Sequence, residues 1–166
     1  KWLNKYRNHG MTDRDHIEFW GVNSRLQPLQ AIVASIELKK IPKIIKQRNL
    51  NANYLVRAFS SKLFKKYIKI PLRNKKNIES YSLYMCLFEN RDALIKFLNN
   101  NKIEAKIHYK IPLHLQLAAK KLKYHKGSFP EAEKQTNKLI TLPVHQYIKK
   151  SQLDYMIEKI SSFYNI

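Results

Sequence analysis

The stretch "SYSLYMCLFENRDALIKFLNNNKIEAKIHY", residues 80–109, contains the pattern that decides the fold class. Its first part, Ser80–Phe88, is rich in aromatic and apolar side chains, and this composition predicts a β-strand. Because successive side chains alternate between the two faces of a strand, one face is predicted to carry Tyr81, Leu83, Met85 and Leu87.

A helix and a second alternating segment follow this strand. Asn90 is the predicted N-cap of a short helix, which ends at the asparagine run of residues 99–101. The inward-facing residues of this helix are predicted to be Ala93, Leu94, Phe97 and Leu98. Residues 102–109 alternate again, with Ile103, Ala105 and Ile107 on one face and Glu104, Lys106 and His108 on the other. A strand–helix–strand unit is therefore predicted at the centre of the domain.

Helical patterns surround this unit. A long helix is predicted from the "GVNSRLQPLQ" segment, with Ser24 as its N-cap, and Ile41-Pro42 should kink or break it. Further helices are predicted near 50–60, near Leu115–Leu122, after Pro130 and from Ser151 onwards. The predicted fold class is α+β, with helices packed on one face of a small sheet and one long helix leading in.

Size and composition restrict the class of protein. A chain of 166 residues suits one domain, or one domain with a piece of a second. The single cysteine, Cys86, excludes an internal disulfide and a cysteine-based zinc site and fits a reducing compartment. No apolar run reaches the roughly 20 residues that span a bilayer, and the polar start is unlike a signal peptide. A cytoplasmic location is therefore predicted, with no membrane partner.

The formal net charge is +20, from 32 basic and 12 acidic residues, which raises the possibility of nucleic-acid binding. The lysines, however, are spread along the whole chain instead of forming one stripe, and no stacking platform of aromatic and basic residues is visible. A solvated basic surface is the preferred interpretation, and no nucleic-acid partner is predicted.

His108 and His114 enclose five residues, a spacing that some zinc sites use. That spacing works on a helix, and Pro112 interrupts any helix here, so no metal site is predicted. Cys86 lies among apolar neighbours in the predicted strand, where a cysteine is usually inert packing.

Two other pairs could bind a ligand. His108 and Tyr109 follow one another at a predicted strand end and could line a pocket. From the residues alone, covering the sheet and packing in the core is the preferred explanation. Asn23 and Arg25 flank the predicted helix start, where they could hold a phosphate, although ordinary capping is the simpler reading. From the residues alone, both alternatives stay open for both pairs.

Five motifs occur in a fixed order: "RNHG" (7–10), "GVNSRLQPLQA" (21–31), "IHYKIPLHLQ" (107–116), "KGSFPEAEK" (126–134) and "LPVHQ" (142–146). Together they resemble the C-terminal part of the DegT/DnrJ/StrS family of pyridoxal-phosphate-dependent sugar aminotransferases. The sequences of these motifs are most similar to those of the branch that acts on nucleotide-linked 3-keto-6-deoxyhexoses. The resemblance covers nearly the whole chain.

The resemblance implies a fold and an activity. The fold would be the small C-terminal α+β domain of the fold type I aminotransferases, with a mainly antiparallel sheet. Residues 1–20 would be the tail of the large cofactor-binding domain, 21–66 the long connecting helices, and 67–166 the small domain. The activity would move an amino group from glutamate, through pyridoxal 5'-phosphate, to a nucleotide-diphosphate-linked keto-deoxysugar for polysaccharide or glycan biosynthesis.

The resemblance also implies residue roles in a homodimer whose active site is shared between subunits. Asn23 would reach the neighbour's cofactor phosphate, and Arg25 would lie near the same site. His108 and Tyr109 would line the sugar or diphosphate pocket, with His114 nearby.

The lysine that forms the family's Schiff base is expected upstream of the "RNHG" motif, and its sequence context does not occur here. Lys62 follows serines but lies downstream on a predicted helix, so the role is not transferred to it. No catalytic residue is therefore assigned in this chain, which is expected to be inactive alone. A non-catalytic binding or assembly module and a basic nucleic-acid-binding protein are the alternatives.

Overall fold

The computed structural model describes residues 1–74 and 76–166. They divide into two compact units, Lys1–Pro42 and Lys43–Ile166. No helix in the described part of the chain is both long and apolar enough to span a membrane.

The first unit contains helices α1 (Trp2–Tyr6) and α2 (Pro28–Leu38). The N-cap of α2 is Gln27, whose backbone N–H donates to Oε1 of Gln30 at 3.0 Å. The prediction of Ser24 as the N-cap was therefore wrong by three residues, since Pro28 takes the first helical position, where its missing N–H costs no hydrogen bond. The predicted break is confirmed, because α2 ends at Leu38 and the next helix begins at Ile41.

Helix α3 (Ile41–Phe59) continues from this break, and nearly all of it belongs to the second unit. The remaining elements, in chain order, are α4 (Lys62–Lys65), β1 (Ile68–Lys69), β2 (Tyr84–Phe88), α5 (Arg91–Asn100), the 3₁₀ helices Leu113–Leu115 and Leu117–Leu122, α6 (Pro130–Thr136), β3 (Leu139–Leu142) and α7 (Lys150–Tyr164). The strands form an antiparallel sheet in the order β1-β2-β3. The predicted α+β class with an antiparallel sheet is thus confirmed.

The core of the second unit lies against the middle strand. Tyr84, Cys86 and Phe88 of β2 are 0% exposed, and α3, α5 and α7 pack against them with leucine, isoleucine, phenylalanine and methionine side chains. The face predicted to carry Met85 and Leu87 is only half-buried. Alternation alone could not reveal which face meets the helices, because both faces of this strand are apolar.

The second predicted strand, residues 102–109, does not form a β-strand. Residues 102–109 form a single bridge with β3, in which the Lys106 and Thr141 backbones exchange hydrogen bonds of 3.2 and 2.8 Å. The predicted alternation is correct for burial, since Ile103 and Ala105 are buried while Glu104 and Lys106 are exposed. The third strand of the sheet is instead residues 139–142, which pair with β2 along their whole length.

Candidate functional site

The first unit brings two of the sequence motifs side by side. Residues 7–10 and 21–24 are joined by backbone hydrogen bonds from His9 N to Val22 O (3.0 Å) and from Ser24 N to Arg7 O (2.8 Å), with a bridge between Asn8 and Asn23. The motifs that are separate in sequence therefore form one local structure.

Two glycines permit this close approach. Gly10 has φ +76°, and a Cβ atom there would lie 1.6 Å from the carbonyl oxygen of Phe19. A Cβ at Gly21 would lie 2.4 Å from the backbone nitrogen of Gly10. Any larger residue at either position would force the two segments apart.

Asn23 and Arg25 line one cleft of about 790 Å³. Nε–H of Arg25 donates to Oδ1 of Asn8 at 3.0 Å, and its Nη2 donates to the same oxygen. The Asn23 side chain has no hydrogen-bond partner among residues 1–74 and 76–166 and is exposed. Because α2 begins at Pro28, neither residue flanks a helix start, and that part of the prediction was wrong. The cleft nevertheless presents exposed amide and guanidinium donors, which suit an anion.

The second unit holds a separate cavity of about 630 Å³. His108, Tyr109 and His114, the three residues that the resemblance assigned to a substrate pocket, all line this cavity. Most of the other lining is apolar or aromatic, including Ile111, Leu113, Leu122, Tyr124, Phe129 and Leu139. Ligand cavities commonly combine such walls with a few polar groups. The structure thus brings the three residues together, and their role in binding substrate stays a prediction.

His108 lies between two cavities. Its Nδ1 is 3.0 Å from Oγ1 of Thr141, and its ring borders both the large cavity and a smaller one of about 150 Å³. The smaller cavity is also lined by Arg48 and His145. The neighbouring Tyr109 is exposed, so its phenol is accessible to a ligand.

The His114 ring is fixed by a contact with Glu133. Its side chain is 7% exposed, and its Nε2 lies 2.9 Å from Oε1 of Glu133, whose side chain is 16% exposed. The backbone N–H of Gly127 donates to the same oxygen at 2.8 Å. These contacts lower the pKa of Glu133, first through the Gly127 N–H and also through His114. The sequence analysis missed Glu133, although it lies in the quoted "KGSFPEAEK" motif.

The structure supports packing as the role of Cys86. Burial raises the pKa of its thiol to about 11, so the thiol is protonated at neutral pH and is a poor nucleophile. Within the part of the chain that the structure describes, no group of three or more His, Cys, Asp or Glu side chains could hold a metal ion.

Comparisons with known proteins support the resemblance. The model of the DegT/DnrJ/EryC1/StrS aminotransferase family matches residues 1–161. The chain is 30% identical over 162 residues to a pleiotropic regulatory protein of Geobacillus stearothermophilus, covering 95% of this chain and 42% of that protein. It is 27% identical over 161 residues to the dTDP-3-amino-3,6-dideoxy-alpha-D-galactopyranose transaminase of Aneurinibacillus thermoaerophilus, covering 97% and 43%. The chain thus spans less than half the length of these relatives.

Solved structures match over almost the whole chain. The crystal structure of S. venezuelae DesV in complex with a ketimine intermediate matches 99% of this chain and 43% of its own, with a TM-score of 0.88 and 26% identity. The same fold occurs in the PLP form of Spr1654 from Streptococcus pneumoniae, with a TM-score of 0.83 and 22% identity, over 98% and 42% of the two chains. The chain therefore belongs to the DegT/DnrJ/EryC1/StrS aminotransferase family.

Proposed function

We propose that this chain is the C-terminal portion of a pyridoxal-phosphate-dependent aminotransferase. The enzyme transfers an amino group from glutamate to the keto group of a nucleotide-diphosphate-linked deoxysugar, for polysaccharide or glycan biosynthesis. The observation that carries the proposal is the single cavity of about 630 Å³ lined together by His108, Tyr109 and His114. Family membership and the nucleotide-sugar transaminase among the relatives support the same reaction.

The chemistry of this cavity suits a deoxysugar. Imidazole and phenol groups can both donate and accept hydrogen bonds, so His108 and Tyr109 bind sugar hydroxyls or diphosphate oxygens. The apolar side chains between them, such as Leu113 and Leu139, provide a surface for the carbon that lacks a hydroxyl.

The cleft of the first unit fits the phosphate of the cofactor. The Asn23 amide has no protein partner among the described residues, and the guanidinium groups of Arg7 and Arg25 line the same cleft. In our proposal, two chains form a homodimer in which these donors hold the phosphate of the cofactor bound by the neighbour. The bound cofactor supplies an electron sink at the reacting carbon.

A titration followed by nuclear magnetic resonance tests the cavity. We expect dTDP-glucose, added to the ¹⁵N-labelled chain, to shift signals from residues that line the cavity, with weak affinity because half of the shared site is absent. Replacing His108 with Ala should lower the affinity about 10-fold, since one hydrogen bond to a charged or polar group is lost. His16→Ala is the matched control, because His16 is exposed, belongs to the first unit and does not line the cavity.

Shifts confined to residues outside the cavity would contradict the proposal, as would equal effects of the two histidine variants. Micromolar binding by the chain without cofactor would instead favour the stand-alone binding module.

A second experiment tests the assignment of no Schiff-base lysine to this chain. We expect incubation with pyridoxal phosphate, followed by borohydride reduction and peptide mass spectrometry, to show scattered, substoichiometric labelling of lysines. Stoichiometric labelling of one specific lysine would show that the reactive amine lies in this chain.

A further inference from the structure

Next to the cavity of about 630 Å³, one carboxylate oxygen contacts groups from two other segments of the chain. Oε1 of Glu133, in the first turn of α6, lies 2.9 Å from Nε2 of His114 and accepts the backbone N–H of Gly127 at 2.8 Å. His114 belongs to the 3₁₀ helix Leu113–Leu115, and Gly127 belongs to the loop before α6. Glu133 itself does not line the cavity.

The segments that Glu133 joins carry the aromatic side of the cavity. The ring of Phe129 packs edge-on against His114, with centroids 4.9 Å apart, and against Tyr124 at 5.1 Å. All three rings line the cavity. The backbone N–H of Glu133 also donates to the carbonyl oxygen of Phe129 at 3.1 Å, which ties the helix start to the same ring.

The loop at Gly127 gains no support from packing at that residue. Gly127 has φ +93°, and a Cβ atom built there would meet nothing within 4 Å. The contact that Gly127 itself makes is therefore its hydrogen bond to Glu133. Around it, the loop is closed by hydrogen bonds from Ser128 N to His125 O (3.0 Å) and from His125 N to Ser128 Oγ (3.0 Å), and Nδ1 of His125 lies 2.9 Å from Lys126 O.

We infer that Glu133 is a positioning residue, whose carboxylate holds the His114 imidazole and the loop of residues 125–129 in the arrangement that forms the aromatic wall. Because a carboxylate only accepts hydrogen bonds, the neutral His114 ring must carry its proton on Nε2. Its Nδ1 is then left as an acceptor, so a ligand group that reaches it must donate a hydrogen bond, as a sugar hydroxyl can. The effect on sugar binding rests on the function proposed above, whereas the effect on His114 and Gly127 does not.

Three variants test this inference. Glu133→Ala removes the acceptor, and Glu133→Gln keeps an oxygen acceptor without the charge. Glu131→Ala is the matched control, because Glu131 lies in the same first turn of α6 and contacts Gln135 instead, with Gln135 Nε2 donating to its Oε1 at 3.0 Å.

The first readout needs no ligand. In Glu133→Ala, we expect the Gly127 amide to exchange with solvent about 10-fold faster, since it loses one hydrogen bond. We also expect the imidazole ¹⁵N shifts of His114 to lose their preference for the Nε2-protonated form. Glu133→Gln should keep most of both properties, and Glu131→Ala should match the parent chain.

The second readout is the affinity for dTDP-glucose. We expect it to fall about 10-fold in Glu133→Ala and less than about 3-fold in Glu133→Gln. If the alanine variant does not fold, the parent chain still decides, because a His114 ring that donates to the Glu133 carboxylate must carry its proton on Nε2, and an Nδ1-protonated ring would overturn the inference.

The inference is overturned if Glu133→Ala and Glu131→Ala give the same Gly127 exchange and the same His114 tautomer. If the parent chain itself does not bind dTDP-glucose in the cavity, the proposed function fails. The ligand-free readout still shows in that case whether Glu133 positions the wall.

Discussion

Each of the two units of this chain carries part of the proposed site, but different interactions stabilise each unit internally. In the first unit, residues 1–42, Gly10 is the only buried residue. The twenty buried hydrophobic residues of the described chain all lie in the second unit. Backbone hydrogen bonds and glycines order the first unit, whereas apolar burial orders the second.

The stability of the chain therefore resides mainly in the second unit. An exposed hydrogen bond contributes about 1 kcal/mol or less, because water competes for both partners, while a fully buried large apolar side chain contributes about 1.5–3 kcal/mol. Helix α2 has no buried residue, and its apolar side chains are largely exposed, as Leu29 is at 73%. We therefore expect the first unit to open more readily than the second.

The largest expected effect comes from the core of the second unit. Replacing Phe88, which is 0% exposed, with Ala should lower the free energy of unfolding by about 3–5 kcal/mol, because it removes buried contacts and leaves a cavity. Leu29→Ala in the first unit is the control and should change it by less than about 0.5 kcal/mol. Urea unfolding followed by circular dichroism measures both, and similar losses would show that the first unit also has a core.

The next largest effect is a loss of amide protection that is confined to the first unit. Gly10→Ala should abolish amide protection in residues 6–24, since the new Cβ would overlap the Phe19 carbonyl group. Protection in the second unit should not change. Gly127→Ala gives the comparison, because open space surrounds it and only its left-handed backbone costs about 1 kcal/mol. Hydrogen exchange measured residue by residue checks this, and a loss that spreads to α5 or α7 would mean that the units unfold together.

A smaller effect is expected on the stability of the chain at low pH. The pKa of Glu133 is lowered in the folded chain, so its carboxylate adds stability that is complete above its unfolded pKa of about 4.3 and is lost as pH falls through the lower, folded pKa. Glu133→Gln should therefore show a weaker loss of stability than the parent chain on acidification from about pH 6 to pH 3. Urea midpoints across this range measure the difference, and parallel curves would contradict the assignment.

The smallest effect is expected at Arg25. Its hydrogen bonds to Asn8 are exposed, so Arg25→Ala should change the free energy of unfolding by less than about 0.5 kcal/mol. A loss above about 1 kcal/mol would show that this contact, rather than a ligand, is the reason for the arginine.

Local patterns predicted much of the second unit correctly. The burial of Leu94 and Leu98 follows from helical spacing. The prediction that Ala93 faces inward was wrong, since Ala93 is exposed, and Phe97 is only partly buried. The break at Ile41-Pro42 follows from the chemistry of proline. The class of fold was predictable from these elements, because each buries one apolar side against the others.

The errors share one physical reason. Residues 102–109 alternate like a strand but make one bridge only, and residues 139–142 form the third strand with a weaker pattern. Pairing depends on which backbone lies alongside β2, and a sequence pattern carries no information about that neighbour. The same holds for Glu133, whose two partners are 19 and 6 positions away and meet it only after folding.

Local periodicity and residue identity were enough to predict the longer helices, the class of fold and, through the ordered motifs, the family. Folding alone brings His108, Tyr109 and His114 to one cavity and places Glu133 next to His114. Distances between residues remote in sequence are set by packing and by strand pairing, which arise from the whole chain at once.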